Sequence, residues 1–217
     1  MERQEARTAL VRAGARLGRR GLIAAGEGNL SCRLGDGTVL ITPSGLRKDE
    51  LAVEDLVLVD GDGSVVEAML DRRPSSDVRI HLAVYRARSD VHAIAHAHLP
   101  ASMGLTLAGE APDATALPET AAALGHVPLV PFGEMGSEDL AGRVAAALGE
   151  PSDSRPVAVL LERHGAVAVG AEPGHAVDRL ELVEVLCRAW RDALYVRAAR
   201  AVLADRTALP GSPGGDG

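Results

Sequence analysis

The strongest chemical signal in the chain is His96-Ala97-His98. In a β-strand, side chains two positions apart project from the same face, so two imidazoles at this spacing can meet one metal ion. A third can come from His164, in the segment Glu162-Arg163-His164-Gly165, where the glycine gives the backbone freedom to aim the ring. Three neutral imidazole nitrogens with one position left open suit catalytic zinc better than structural zinc. Imidazole ligands also suit iron, cobalt or manganese, so zinc is a preference among divalent ions. Taken alone, an HxH pair is also met among packed core residues, and both readings stay open at this point. His81, His92, His126 and His175 have no such company and read as surface or satisfied core residues, although His81 lies on an expected helix and could approach the site.

Three short turns form the second constellation: Gly26-Glu27-Gly28-Asn29, Thr42-Pro43-Ser44-Gly45 and Pro74-Ser75-Ser76. Glycines, hydroxyls, an amide and helix-start N–H groups together can make a concavity that holds phosphate without a basic patch. Each turn taken singly also fits an ordinary turn or helix cap. Covalent carbonyl chemistry through an amine is disfavoured. The chain has one lysine, Lys48, in the polar run LRKDE beside Asp49 and Glu50, which is expected to keep it charged and wet. A Schiff-base lysine must instead be desolvated, with its pKa lowered. Cys32 and Cys187 show neither CxxC nor disulfide-dense spacing and are expected to be small buried thiols.

The elements that must position these groups follow from periodicity. Residues 2–20 carry Ala9, Leu10, Ala13 and Leu17 at helical spacing. Residues 29–34 and 39–42 flank Gly35-Asp36-Gly37 as a hairpin, and 56–59 add a third strand. Helical period returns over 76–88 behind the capping sequence Ser75-Ser76-Asp77. Strands are expected at 93–98, 127–132, 157–161 and 166–169, and helices at 100–107, 116–124, 137–148 and about 174–204. Consecutive strands recur without a helix between them, so uniform βαβ alternation is excluded. The expectation is an α/β (α+β type) chain, a three-layer α/β/α arrangement with a central mixed, mostly antiparallel sheet. Residues 1–206 are read as one domain and 207–217 as a flexible tail.

A hydrophobic fraction of 47% supports a real core, but the chain has only one Phe, one Trp and two Tyr, so Ala, Val and Leu must fill it. The formal net charge of −7 argues against nucleic acid as a partner. No signal peptide or membrane-length apolar run is visible, and the expectation is a cytoplasmic protein with no membrane partner.

In order along the chain, GNLS, ITPSG, PSSD, HAH, VPLVPFGEMGS and RHGAVAVG resemble the class II aldolase/adducin family over about residues 5–197. The resemblance implies that His96, His98 and His164 bind zinc, that Asn29, Ser44, Gly45, Ser75 and Ser76 hold a substrate phosphate, and that Asp77 is the acid/base or metal-proximal carboxylate. The implied reaction is zinc-assisted cleavage of a ketose 1-phosphate to dihydroxyacetone phosphate and an aldehyde. A phosphopentose epimerase, a related decarboxylase or dehydratase, and a non-catalytic metal-binding scaffold are the alternatives. Fuculose-phosphate aldolases carry Glu and phosphoribulose epimerases Asp where this chain has Asp77, which pulls toward the epimerase. The segment DATALPETAAALG lacks the epimerases' aromatic residue, and Glu119 is its nearest candidate for a second acid/base, or simply a helix-start glutamate. The adducin branch loses metal ligands whereas all three histidines are present here, which disfavours a scaffold. The family also implies a homotetramer with sites at subunit boundaries.

Overall fold

The computed structural model describes residues 1–69, 71–149 and 155–207. Helix α1 (Arg3–Arg19) leads into the hairpin β1 (Asn29–Arg33) and β2 (Val39–Ile41), then β3 (Val57–Val59) and β4 (Val65–Glu67). Helix α2 (Val78–Ala87) precedes β5 (Ala93–Ala97), followed by α3 (Pro100–Leu107), α4 (Pro118–Leu124), β6 (Leu129–Val130) and α5 (Glu138–Gly149). Strands β7 (Ala158–Leu161) and β8 (Gly165–Gly170) and the long helix α6 (Pro173–Thr207) complete the described chain. The strands form one sheet in the order β4-β3-β2-β1-β5-β8-β7-β6. Every neighbouring pair is antiparallel except β6–β7.

The two-residue period of the strands sorts side chains into two cores. Leu30, Leu40, Leu58, Ala95, Ala97, Ala166 and Ala168 face α1, α3, α4 and α6, while Val39, Ile41, Val57, Ile94, Val167 and Val169 face α2 and α5. The central strands β5 and β8 present alanine toward α6, so that helix can approach the sheet closely through Ala176, Val177, Leu180 and Val183, all 0% exposed. Leu186 is buried as well, and Trp190 and Leu194 pack against the same core. Each fully buried Leu, Ile or Val contributes about 1.5–3 kcal/mol of transfer free energy, which is how a chain nearly without aromatics builds its core.

Helices on both faces of a mostly antiparallel sheet match the expected three-layer architecture. Three local differences stand out. Strand β4 was not expected, because its residues are all exposed and an edge strand with no buried face generates no apolar alternation. Helix α2 starts at Val78, two residues later than expected, with Asp77 at its N-cap; the Asp77 side chain makes no capping bond. Helix α6 runs past residue 204 to Thr207, and the tail expected beyond it lies outside the described residues. No helix among the described residues is long and apolar enough to cross a membrane.

Candidate metal centre and substrate cradle

The antiparallel ladders bring the candidate residues to one end of the sheet. Asn29 at the start of β1 pairs with His96 near the end of β5, and Ala97 pairs with Ala166 near the start of β8. The end of β5 therefore lies between the starts of its two neighbours. His96, His98 just beyond β5, and His164 just before β8 meet there with ring centroids 4.8 to 5.1 Å apart. Two glycines make this close approach possible. A Cβ on Gly28 would lie 2.8 Å from the His96 carbonyl oxygen, and one on Gly165 would lie 2.2 Å from that of Ala97; both residues have positive φ.

The rings carry their lone pairs inward. His96 Nδ1 donates to the Ala166 carbonyl at 2.9 Å, and His98 Nδ1 lies 3.1 Å from Glu27 Oε2, so each keeps Nε2 free. His96 Nε2, His164 Nε2 and Asp77 Oδ1 are buried without a hydrogen-bond partner. Buried polar atoms without partners are rare in native proteins, and three at one point mark a place for an absent group. One nitrogen from each ring can be chosen so that all three lie within 4.8 Å of one another. Burial, reinforced by the neighbouring imidazoles, pushes the His96 pKa down to about 3 and lowers that of His164, which keeps both rings neutral as metal ligands must be. The donor set fits a divalent transition metal.

Asp77 faces the triad, with Oδ2 4.0 Å from His96 Nε2. Burial alone would raise its pKa, but the facing imidazoles and a hydrogen bond from Asn29 outweigh burial and hold it below the ordinary value, so the group is a carboxylate at neutral pH. That bond, Asn29 Nδ2 to Asp77 Oδ2 at 2.9 Å, ends a buried chain. His81 Nε2 donates to Asn29 Oδ1 at 2.6 Å, which leaves Nδ1 as acceptor of the Ser31 hydroxyl at 2.6 Å, and Tyr85 in turn donates to Ser31 Oγ at 2.7 Å. Sequence reasoning left His81 as a surface or satisfied core histidine that could approach the site. It is fully buried, and its hydrogen bonds run through the site. The available signal was its position in the first turns of α2, four residues after the N-cap Asp77.

The three donor turns are tied together. Leu30 N donates to Thr42 Oγ1, Ser44 N to the Arg73 carbonyl and Ser75 N to the Thr42 carbonyl. Asn29, Ser44, Gly45, Ser75 and Ser76 accordingly line a single cavity of about 110 Å³ that also touches Asp77 and His98. Lys48 corrects an expectation. It is 2% exposed rather than wet, and it too lines this cavity. Its neighbours in sequence are polar, but α1 packs onto it through Gly14, where a Cβ would sit 2.1 Å from the Lys48 carbonyl oxygen. Glu27 was read only as part of a turn, yet it is the partner of His98.

Glu119 is not brought to the site. It lies exposed in the first turn of α4, the helix-start alternative, and does not line the cavity. Tyr195 is also exposed, on α6. Both cysteines are buried, and burial pushes their thiols up to about 11 for Cys32 and about 12 for Cys187, which makes them inert.

A mostly antiparallel three-layer fold with an imidazole triad at one sheet end defines a recognisable class. The family model for the Class II Aldolase and Adducin N-terminal domain matches residues 8–191. The chain belongs to this family. It is 31% identical over 205 residues to L-fuculose phosphate aldolase of Escherichia coli O6:H1 (strain CFT073), covering 94% of this chain and 91% of that one. It is 34% identical over 205 residues to 3-oxo-tetronate 4-phosphate decarboxylase of Cupriavidus necator, covering 92% and 90%. Among solved structures, YgbL of Escherichia coli superposes with a TM-score of 0.77 at 30% identity, covering 86% of this chain and 88% of that chain.

Proposed function

We propose that the protein is a zinc-dependent class II aldolase that splits a ketose 1-phosphate into dihydroxyacetone phosphate and an aldehyde, acting in the cytoplasm as a homotetramer. One observation carries the reading: the unpartnered Nε2 atoms of His96 and His164 converge beside the unpartnered Asp77 Oδ1, next to a cradle of anion donors. In this proposal His96, His98 and His164 hold the metal. The ion, when bound, supplies Lewis acidity toward substrate oxygens, and three neutral ligands leave its charge undiminished. Asn29, Ser44, Gly45, Ser75 and Ser76 bind the phosphate and so fix which carbon lies near Asp77. Asp77 holds Oδ2 on Asn29 and presents Oδ1 to accept or return the substrate proton, a role its ionised state at neutral pH allows. Glu119 could serve as a second acid/base only by reaching the site of a neighbouring subunit, because it is exposed and outside the cavity of its own chain.

A second reading has its own support. The 34% identity to a decarboxylase over nearly the whole chain favours loss of carbon dioxide from a phosphorylated keto acid, in which the same groups would face the same kind of C–C cleavage. The test pairs elemental analysis of wild type and a His96→Ala/His98→Ala variant with assays for dihydroxyacetone phosphate and carbon dioxide release. About one zinc per chain, lost in the variant together with triose phosphate release, supports the aldolase. Carbon dioxide release without triose phosphate replaces it with the decarboxylase, and well-folded protein without metal refutes both.

A further inference from the structure

Lys48 is the chain's only lysine, and it is buried at the cavity wall. Burying an ammonium costs several kcal/mol unless a counter-charge offsets it. No carboxylate lies within ion-pairing distance of Lys48 among the described residues, although its sequence neighbours Asp49 and Glu50 are acidic; both of these pair with Arg47 instead. What Lys48 Nζ does have is two carbonyl acceptors, Gly26 O at 2.7 Å and Leu46 O at 2.6 Å. Burial lowers the lysine pKa from its ordinary value, while the two carbonyls, as acceptors, favour the protonated form and occupy two of its N–H bonds. Gly26 belongs to one donor turn and Leu46 directly follows another, so Lys48 ties the two segments to each other. An ammonium has three N–H donors, and the third has no acceptor among the described residues.

The charges around the cavity point the same way. Glu27 and Asp77 line it, and among the described residues Lys48 is the only lysine or arginine that does. A phosphate monoester carries about −1.5 to −2 charge at neutral pH. Entering beside two carboxylates would be unfavourable without a fixed positive charge.

We infer that Lys48 is the buried counter-charge of the anion cradle: its third N–H and its positive charge recognise a phosphate dianion, making it a specificity residue for phosphorylated over unphosphorylated substrate. This rests on the proposal that the cradle binds phosphate. A charged hydrogen bond of this kind is worth about 10- to 100-fold in affinity.

The experiment titrates inorganic phosphate into zinc-loaded protein and compares wild type with Lys48→Gln, which keeps an amide donor but no charge, and Lys48→Met. Both variants should bind phosphate at least roughly tenfold more weakly while retaining zinc; a mere tie between turns would be partly rescued by Gln. In parallel, wild-type protein labelled with ¹⁵N-lysine contains a single lysine side-chain signal, which should shift saturably with phosphate at the same midpoint as binding. That measurement decides the matter even if the variants fail to fold. Phosphate binding that leaves the lysine signal unmoved, or that is undiminished in folded variants, overturns the role of Lys48 alone. Failure of zinc-loaded wild type to bind phosphate overturns the cradle reading beneath it.

Discussion

Replacing Gly165 by alanine should damage stability and metal binding together. Gly165 has φ +113°, and an added Cβ would lie 2.2 Å from the Ala97 carbonyl oxygen and 2.8 Å from His98 Cα, below the 3.0 Å that real Cβ contacts essentially never breach. Both atoms are backbone, so no side-chain rotation relieves the contact. The strained backbone costs about 1–3 kcal/mol. Parting β5 from β8 by about 1 Å costs a further 1–2 kcal/mol in weakened ladder hydrogen bonds. The sum, about 2–5 kcal/mol, corresponds to a fall in Tm of roughly 5–15 °C for a chain of this size. Catalytic and metal constellations tolerate only about 0.5 Å of displacement. His164 precedes the substituted residue and His98 is itself struck, so zinc affinity should fall at least about tenfold in protein that remains folded. Gly142→Ala is the control: it lies on α5 with nothing within 4 Å of its added Cβ, and should stabilise by up to about 1 kcal/mol. Thermal unfolding and zinc competition against a chelator measure both effects. A Gly165→Ala protein with wild-type Tm and zinc affinity would refute the account of how β5 and β8 assemble the triad.

Asp77→Asn keeps the shape, but its amide oxygen must accept from Asn29 Nδ2, which turns an NH2 that cannot take a proton toward the site, so turnover should fall about 10²- to 10⁴-fold with zinc content retained; equal loss of zinc would make Asp77 a ligand first. Glu27→Ala removes the group facing His98 Nδ1, and zinc affinity by chelator competition should weaken about 10- to 100-fold; no change would show that His98 needs no anchor. Metal-free protein should lose stability on mild acidification. His81 is buried and its pKa falls from 6.5 to about 4, so the folded state binds fewer protons than the unfolded state between these values. Its contribution is fully present above pH 6.5 and is lost as pH falls through 4, about 3 kcal/mol in all. Denaturant titrations of wild type and His81→Gln from pH 7 to 4 should differ in slope, and parallel curves would count against this origin.

How much of this was legible depended on how local each cause is. The period of a strand is enough to put His96 and His98 on one face, and a turn before a glycine is enough to free His164, so the triad could be read from short segments. The central strands were equally legible, because a strand buried on both faces is written as a near-continuous apolar run. Strand β4 has no buried face. The serines and aspartate before α2 gave a sound local signal for a helix cap, but the Asp77 carboxylate bonds Asn29 instead of its own helix. A residue that declines its local role is a sign of function, and only the partner on β1 reveals it.

Lys48 failed for the opposite reason, since nothing in its own segment states its environment. LRKDE is as polar as a surface loop, and Lys48 is buried because α1 offers a side chain of hydrogen at Gly14, so that the helix closes on the Lys48 backbone. The signal was present, but in another element: a glycine inside a helix costs about 1 kcal/mol relative to alanine and needs a packing reason. Gly14 and Gly18 both sit within α1, and added Cβ atoms there would strike Lys48 and Asp49 respectively. Two helical glycines one turn apart thus describe a groove for residues 48–49. Asking what each costly glycine makes room for would have located the buried lysine, and with it the charge that an acidic chain needs to receive a phosphate.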